Sequence, residues 1–286
     1  MENNPLLTII TINRNNEVGL ESTMKSVLSQ DRNDFEYVVV DGASTDKSVE
    51  VIRRYTEQFG NRIKWISEPD KGIYNAMNKG IRMATGEYVE FLNSGDCLAS
   101  PDVVSKMYVA LKEKGNPSII YGNMLKDMVD GTILKDKCFA GKDISLIGFY
   151  SGALNHSPAY IRRDLFAKYG FYDESLKIVS DWKWYLQAIV LGEEKPVYVD
   201  LDVTLFDMNG ISETNKELDK AERRKVLEDL IPSTILSDYD QWAFPIDQMK
   251  RLKRHPWAYK LVWFLERCLL KLEKGQRKRS REVEYQ

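Results

Sequence analysis

Four aspartates stand where no folding rule demands an acid. Asp41 closes FEYVVVD, Asp70 lies in EPDKG just after IKWI, Asp96 ends EYVEFLNSGD, and Asp181 opens SDWKWYLQAI. The first three each follow an apolar run with strand character. In a parallel sheet the carboxyl ends of the strands share one edge, so these three carboxylates are expected to gather there. Like charges brought together repel, and the grouping is stable only with a cation or a donor-rich ligand among them. Asp181 has two readings that spacing alone leaves even. It is a proton acceptor facing that edge, or a first-turn acid that suits the helix dipole behind Ser180. Asp46, inside STDKS, reads as an ordinary turn or cap residue.

The elements that must position these acids alternate. Leu6–Ile12 is a continuous β-branched run, as in a strand buried on both faces. Leu20, Met24, Val27 and Leu28 then recur at helical spacing. Phe35–Val40 is a second strand, and Val49, Ile52 and Tyr55 mark a second helix. Ile63–Ile66, the helical face Ile73 to Ala84, and Tyr88–Leu92 continue the rhythm. Ser100-Pro101 reads as an N-cap with proline at the first helical position, opening a helix through Leu111. Ser118–Tyr121 resumes strand character, so α and β alternate to about residue 120, which implies a mostly parallel sheet covered by helices. Beyond it, Asp130-Gly131 between two apolar runs predicts a hairpin. A helix spans Ser180 to Leu191, a strand Val197–Phe206, and the chain turns helical and polar from Ser212. The division expected is an α/β domain over 1–212 and a helical extension over 213–286.

The 286 residues are 43% hydrophobic and 29% charged, the composition of a soluble globular protein, and the formal net charge of −2 argues against nucleic acid as a partner. The three cysteines, Cys97, Cys138 and Cys268, are odd in number and far apart, which suits a reduced, cytoplasmic setting better than a disulfide framework. The first residues carry no basic segment and no small-residue cleavage pattern, so no secretory signal is expected. No apolar run approaches the roughly 20 residues of a spanning helix.

The segments TIITINRN, VVVDGASTDKS, EPDKGIYNAMNKGIRMATGEYVEFLNSGD and SDWKWYLQAI resemble, in this order over residues 5 to about 212, the successive motifs of the family 2 glycosyltransferases. These are inverting enzymes of the GT-A fold, a doubly wound, mostly parallel sheet flanked by helices. The resemblance implies transfer of a sugar from a nucleotide-diphosphate donor, first of all a UDP-sugar, to an acceptor hydroxyl in cell-surface polysaccharide or glycolipid assembly. It implies that Thr11 and Asn13 pack against the nucleotide, that Asp41 receives the N3–H of a uracil-type base, and that Asp70 and Lys71 lie near base and ribose. Asp96 would hold a divalent cation, Mg²⁺ or Mn²⁺, as the last acid of the DXD-like segment Asn93-Ser94-Gly95-Asp96. Asp181 would take the acceptor's proton, with burial beside Trp182 and Trp184 expected to raise its pKa.

The sequence departs from the family pattern at Gly95, where an acid is common, and at Asn75, where many relatives carry Asp. One sure carboxylate remains for the metal, which is tolerable because Mg²⁺ is often held by one or two carboxylates plus phosphates and water. Gly95 would let the backbone approach a phosphate closely. His156, in NHSPAYIRR, is read as a structural hydrogen-bonding residue or, since the stretch resembles the family's acceptor side, as a secondary candidate near diphosphate or acceptor. Arg162 and Arg163 read as a solvated pair rather than a phosphate site. Gly210, in FDMNGIS, is the hinge of a loop closing over the donor, or part of a plain turn.

Two further classes stay open: a module that binds a sugar nucleotide without turning it over, and a sugar nucleotidyltransferase. Near the C-terminus, Trp257, Leu261, Phe264, Leu265 and Cys268 fall on one helical side before a basic tail. That side could meet a membrane interface at the inner face of the membrane, or pack on the protein's own body or on a second copy.

Overall fold

The chain was analysed as a computed structural model that describes residues 4–128, 131–140, 144–208 and 215–284. Strand β1 (Leu7–Asn13) and strand β2 (Glu36–Asp41) are buried at every position, the condition their Val- and Ile-rich runs predict for strands covered on both faces. They pair in parallel with Asn13 opposite Asp41. Strand β3 (Ile63–Ser67) adds to β2, and β4 (Tyr88–Phe91) adds to the other side of β1, both also parallel. The crossovers are helices α1 (Glu17–Leu28), α2 (Ser48–Phe59) and α3 (Ile73–Met83). The carboxyl ends of β1, β2, β3 and β4 thus share one edge.

Helix α3 lies close on the sheet because Gly80 has no side chain there. A Cβ at Gly80 would stand 2.4 Å from the Cγ2 of Ile10, whose side chain is wholly buried in β1.

The second half completes the sheet with mixed pairing. Short β5 (Cys97–Leu98) is followed by helix α4 (Val103–Glu113), β6 (Ile119–Asp127), β7 (Ile133–Asp136), helix α5 (Leu146–Ser151) and β8 (Ala159–Arg162). Helices α6 (Leu165–Tyr169) and α7 (Ser180–Tyr185), then β9 (Val197–Phe206), complete the set. The strand order is β3-β2-β1-β4-β8-β6-β9-β5, with β7 on the side of β6. β8 is antiparallel to both β4 and β6, whereas β6 and β9 run parallel. β6 and β7 form the antiparallel pair that the Asp130-Gly131 signal predicts.

Two boundaries differ from the sequence expectation. Helix α4 begins at Val103, not at Pro101, because the preceding carbonyls are committed elsewhere. Ser100 O accepts from Gln30 Nε2 at 2.9 Å and Pro101 O from Asp31 N at 2.8 Å. The helix expected over Ser180 to Leu191 is α-helical only to Tyr185, and Leu186–Leu191 is a π-helical turn closed by the Gly192 N–H on Gln187 O.

The chain divides into two compact units, Met1–Asp229 and Leu230–Gln286. Helix α8 (Lys216–Leu230) therefore belongs almost wholly to the first unit, although the sequence groups it with the extension. The second unit consists of α9 (Ser233–Lys253) and α10 (Pro256–Glu284). On α10, Trp257 is 72% and Phe264 62% exposed, and Leu261 and Leu265 are about half exposed. No helix among the described residues is long and apolar enough to cross a membrane. The three cysteines are free.

Candidate active site

A cleft of about 880 Å³ opens at the strand edge of the first unit. Six of the residues singled out from sequence line it: Asn13, Asp70, Asn93, Asp96, His156 and Asp181. They come from five places in the chain, Asp70 from the segment after β3. Asn13 ends β1, Asn93 and Asp96 follow β4, His156 precedes β8, and Asp181 lies in the first turn of α7. Backbone bonds just past β4 fix the place of Asn93 and Asp96, since Leu92 N donates to Ile10 O and Ser94 N to Ile12 O, extending the sheet to the cleft.

Asp96 is 3% exposed. Its Oδ1 accepts the backbone N–H of Asp207 at 2.9 Å, while its Oδ2 is buried without any hydrogen-bond partner. Burial pushes the carboxyl up to about 7, further helped by the negative charge of Asp207 and opposed by His156 and the backbone donors. A buried carboxylate oxygen without a partner carries a desolvation cost that a bound cation offsets. Among the described residues no three His, Cys, Asp or Glu side chains converge as a complete metal site. A cation at Asp96 fits the donor set only with phosphate oxygens and water in its shell, the arrangement usual for Mg²⁺.

Asp181 lines the same cleft. Its Oδ2 lies 3.1 Å from His156 Nδ1, and both side chains are about 20% exposed. Its Oδ1 lies 2.9 Å from the Tyr74 hydroxyl, which also reaches the carbonyl of Ile178. Burial favours the protonated acid, but the His156 hydrogen bond and charge outweigh it, with Tyr74 adding, and Asp181 is held below the usual carboxylate value. This corrects the expectation that burial beside Trp182 and Trp184 would raise it. Both tryptophan N–H groups point elsewhere, Trp182 to Phe149 O and Gly152 O, Trp184 to Gly170 O. His156 responds in the opposite sense. Burial disfavours its charge, yet Asp181 and then Asp96 hold it above 6.5. Its Nε2 lies 3.3 Å from Asn93 Nδ2, so Asn93 and His156 form a polar link between the neighbourhoods of Asp96 and Asp181.

The other expected residues are placed as follows. Asn13 donates from Nδ2 to Asp41 Oδ1 at 2.8 Å, and its own Oδ1 is left without a partner. Asp70 is 6% exposed at its side chain, accepts from Gly72 N at 3.1 Å, and stands 4.0 Å from the Arg14 guanidinium. Thr11, Asp41, Lys71, Asn75 and Gly95 are not in the cleft wall. Thr11 is wholly buried, donating to Leu92 O and accepting from Tyr37 OH. Asp41 is wholly buried too, with Asn13, the Ser44 N–H and hydroxyl, and Ser67 Oγ on its two oxygens. Lys71 is exposed, and its N–H donates to Asn75 Oδ1 while Asn75 Nδ2 donates to Glu174. Gly95 lies in the turn leading to Asp96 at φ +109°, a conformation that favours glycine. Gly210 falls outside the described residues. Arg162 pairs with Asp164 and Arg163 donates to Gly86 O, neither in the cleft.

Sequence reasoning missed several residues that shape the cleft. Tyr74 stands within the predicted helical stretch Ile73 to Ala84 with no signal of its own. Glu222 on α8 accepts the backbone N–H groups of Lys177, Ile178 and Val179 at 2.8 to 3.3 Å, tethering the segment that leads into Asp181. Arg223, one residue on, lies 4.8 Å over the Trp182 ring in the cleft wall. Nothing in a polar helical stretch distinguishes these two from solvated charges.

A mixed α/β sheet of this order, with helices on its faces, is the GT-A fold, and the solved structures agree in fold. The fold matches S. aureus TarS 1–349, crystallised with UDP, at TM-score 0.59 and 20% identity, over 70% of this chain and 60% of that one. It also matches the mannosyltransferase PcManGT of Pyrobaculum calidifontis, in complex with GDP-Man and Mn²⁺, at TM-score 0.60 and 18% identity, over 94% of this chain and 81% of that one. In sequence, an uncharacterized glycosyltransferase of Mycobacterium tuberculosis is 34% identical over 214 residues, 74% of this chain and 78% of that protein. A PGL/p-HBAD biosynthesis glycosyltransferase of Mycobacterium bovis is 26% identical over 215 residues, 73% of this chain and 80% of that protein. The Glycosyl transferase family 2 model matches residues 8–170, and the chain belongs to that family.

Proposed function

We propose that this family 2 glycosyltransferase is inverting and metal-dependent, and that it moves a sugar from a nucleotide-diphosphate donor, first of all a UDP-sugar, to an acceptor hydroxyl in polysaccharide or glycolipid assembly. The observation that carries this reading is one cleft with an orphaned, buried carboxylate oxygen on Asp96 and a hydrogen-bonded, ionised carboxylate on Asp181.

Asp181 is the proton acceptor. Three donors lie near it, His156, Tyr74 and the backbone N–H of Trp182, and a carboxylate has about four lone-pair sites, so room for the acceptor hydroxyl remains. The low pKa keeps the group ionised, and its position rather than its strength as a base is what the reaction draws on. Asp96 is the protein's ligand to Mg²⁺ or Mn²⁺, which when bound would absorb charge on the departing diphosphate as a Lewis acid. Asn13, braced by Asp41, presents its amide to the nucleotide, and Asp70 sits beside it in the cleft wall. Asp41 and Thr11 contribute from behind that wall, Asn93 lines the cleft near Asp96, and Lys71, Asn75 and Gly95 act from outside the wall. The glycolipid assignment draws support from the mycobacterial relative named for PGL biosynthesis. The exposed aromatic residues of α10 and the basic tail suit an interface with the membrane that would carry such an acceptor.

Nucleoside diphosphate release from a panel of UDP- and GDP-sugars tests the proposal. Asp181→Asn is expected to reduce turnover at least about 100-fold while donor binding persists. Turnover unchanged in that variant would overturn the role of Asp181. Pyrophosphate release from a nucleoside triphosphate and a sugar phosphate would replace the transferase reading with a nucleotidyltransferase.

A further inference from the structure

Gly95 removes the acid that DXD-like segments carry beside the last aspartate, and the space it vacates is filled from another strand. β5 and β9 pair antiparallel with Cys97 opposite Leu205 and Leu98 opposite Thr204. Carried two residues outward, the same register sets Asp207 opposite Gly95, and directly opposed residues project on the same face. The atoms bear this out. A Cβ built on Gly95 would lie 2.8 Å from Asp207 Oδ2 and 3.3 Å from Asp207 Cβ. The Asp207 carboxylate therefore stands where a side chain at position 95 would begin. The Asp207 N–H donates to Asp96 Oδ1 at 2.9 Å, which leaves the buried Asp96 Oδ2 as the unpartnered atom, and both residues line the cleft.

We propose that Asp207, at the end of β9, supplies the second carboxylate of the cation site, in place of the acid that Gly95 lacks. The proposal rests on the assignment of Asp96 as metal ligand above. It turns the Gly95 departure from a lost ligand into an exchanged one. The glycine is then required twice, for its positive φ and because any side chain there would collide with the replacement carboxylate. Two aspartates from different strands, completed by diphosphate oxygens and water, meet the ligand demand of Mg²⁺ or Mn²⁺.

Mn²⁺ binding by the full chain, read by electron paramagnetic resonance of the free ion in the presence of UDP or GDP, tests this without requiring turnover. Asp96→Asn is expected to abolish nucleotide-dependent Mn²⁺ uptake. Asp207→Asn is expected to weaken it at least about tenfold, no less than the loss of an outer-shell partner would. Asp207→Glu, which keeps the charge, should retain most of the affinity. Where the Asn variant fails to fold, Asp207→Ser takes its place. Mn²⁺ affinity within twofold of wild type in Asp207→Asn, with Asp96→Asn defective, would overturn the role of Asp207 and leave the metal reading intact. A loss in Asp207→Asn that is equally large for metal-free nucleotide would also overturn it, by making the residue a nucleotide contact. No Mn²⁺ uptake by the wild type with either nucleotide would overturn the metal-dependent reading itself.

Discussion

Replacing His156 by alanine puts the electrostatics of the proposed proton acceptor to a quantitative test. Burial alone would raise the Asp181 carboxyl, and the hydrogen bond from His156 is the largest influence holding it down. A hydrogen bond to a charged group is worth about 1.5–3 kcal/mol, and about 1.4 kcal/mol corresponds to one pH unit. Removing the imidazole 3.1 Å from Asp181 Oδ2 should therefore move the acid limb that Asp181 sets in the kcat/KM profile upward by about 1–2 pH units, measured at saturating Mn²⁺ so that the Asp96 carboxyl, pushed up to about 7 by burial in the free site, stays ionised. Tyr74 still donates from the other side, which places the shift at the lower end of that range. The same pair leaves a signature in stability. Asp181, held below its ordinary 3.8, contributes stability that is lost as pH falls through its folded value. His156, held above 6.5, contributes stability present below 6.5 and lost as pH rises through its folded value. The melting-temperature difference between wild type and His156→Ala should then be largest between about pH 4 and 6.5 and shrink on either side. An acid limb that stays put in a variant that still binds nucleotide would refute the reasoning.

Further predictions concern other parts of the molecule. Glu90 lies wholly buried in β4, near the Tyr160 hydroxyl but with neither oxygen in a well-formed hydrogen bond, and burial holds its carboxyl well above 4.5. The folded state then binds more protons than the unfolded one above pH 4.5, so wild-type stability should fall with rising pH by up to about 1.4 kcal/mol per pH unit. Glu90→Gln should flatten that slope in urea denaturation, and an unchanged slope would show that the group is ionised in the fold. Gly80→Ala should lower stability by up to about 2 kcal/mol, because overpacking against Ile10 outweighs the roughly 1 kcal/mol that alanine gains in a helix. A stabilised variant would mean that α3 can retreat from β1. Sedimentation with anionic vesicles should bring down the wild type more than Trp257→Ser/Phe264→Ser, and equal recovery would remove the membrane role of α10.

Most of the architecture was legible because β1, β2 and β4 are short, mostly apolar and β-branched or aromatic runs, and such runs favour a parallel strand buried on both faces. The rim of acids was legible for the same reason, since strand ends in that topology share an edge. What the pattern could not show is which way each end residue turns. Asp41 sits at the expected strand end, but Ser44, Ser67 and Asn13 draw its carboxylate inward, a tertiary outcome with no local signal. The sign of the Asp181 shift depends on His156, which is 25 positions away and joins it only through the fold. The start of α4 and the π-turn after α7 were decided by carbonyls committed to Gln30 and Asp31 and by ring closure at Gly192, beyond what capping preferences encode. Asp207 illustrates the converse: FDMNGIS reads in sequence either as a loop closing over the donor or as a plain turn, and only the β5–β9 register reveals the carboxylate it delivers beside Gly95.

A thermal-shift panel of nucleoside diphosphates with Mn²⁺ and with chelator probes the central claim most directly. Binding to the folded state at a hundredfold excess over Kd stabilises by about 2.7 kcal/mol. At least one diphosphate, UDP first, should raise the melting temperature of the wild type in the presence of Mn²⁺, lose that effect in chelator, and lose it in Asp96→Asn. No shift with any diphosphate, or one that survives both chelation and loss of the Asp96 carboxylate, would contradict the account.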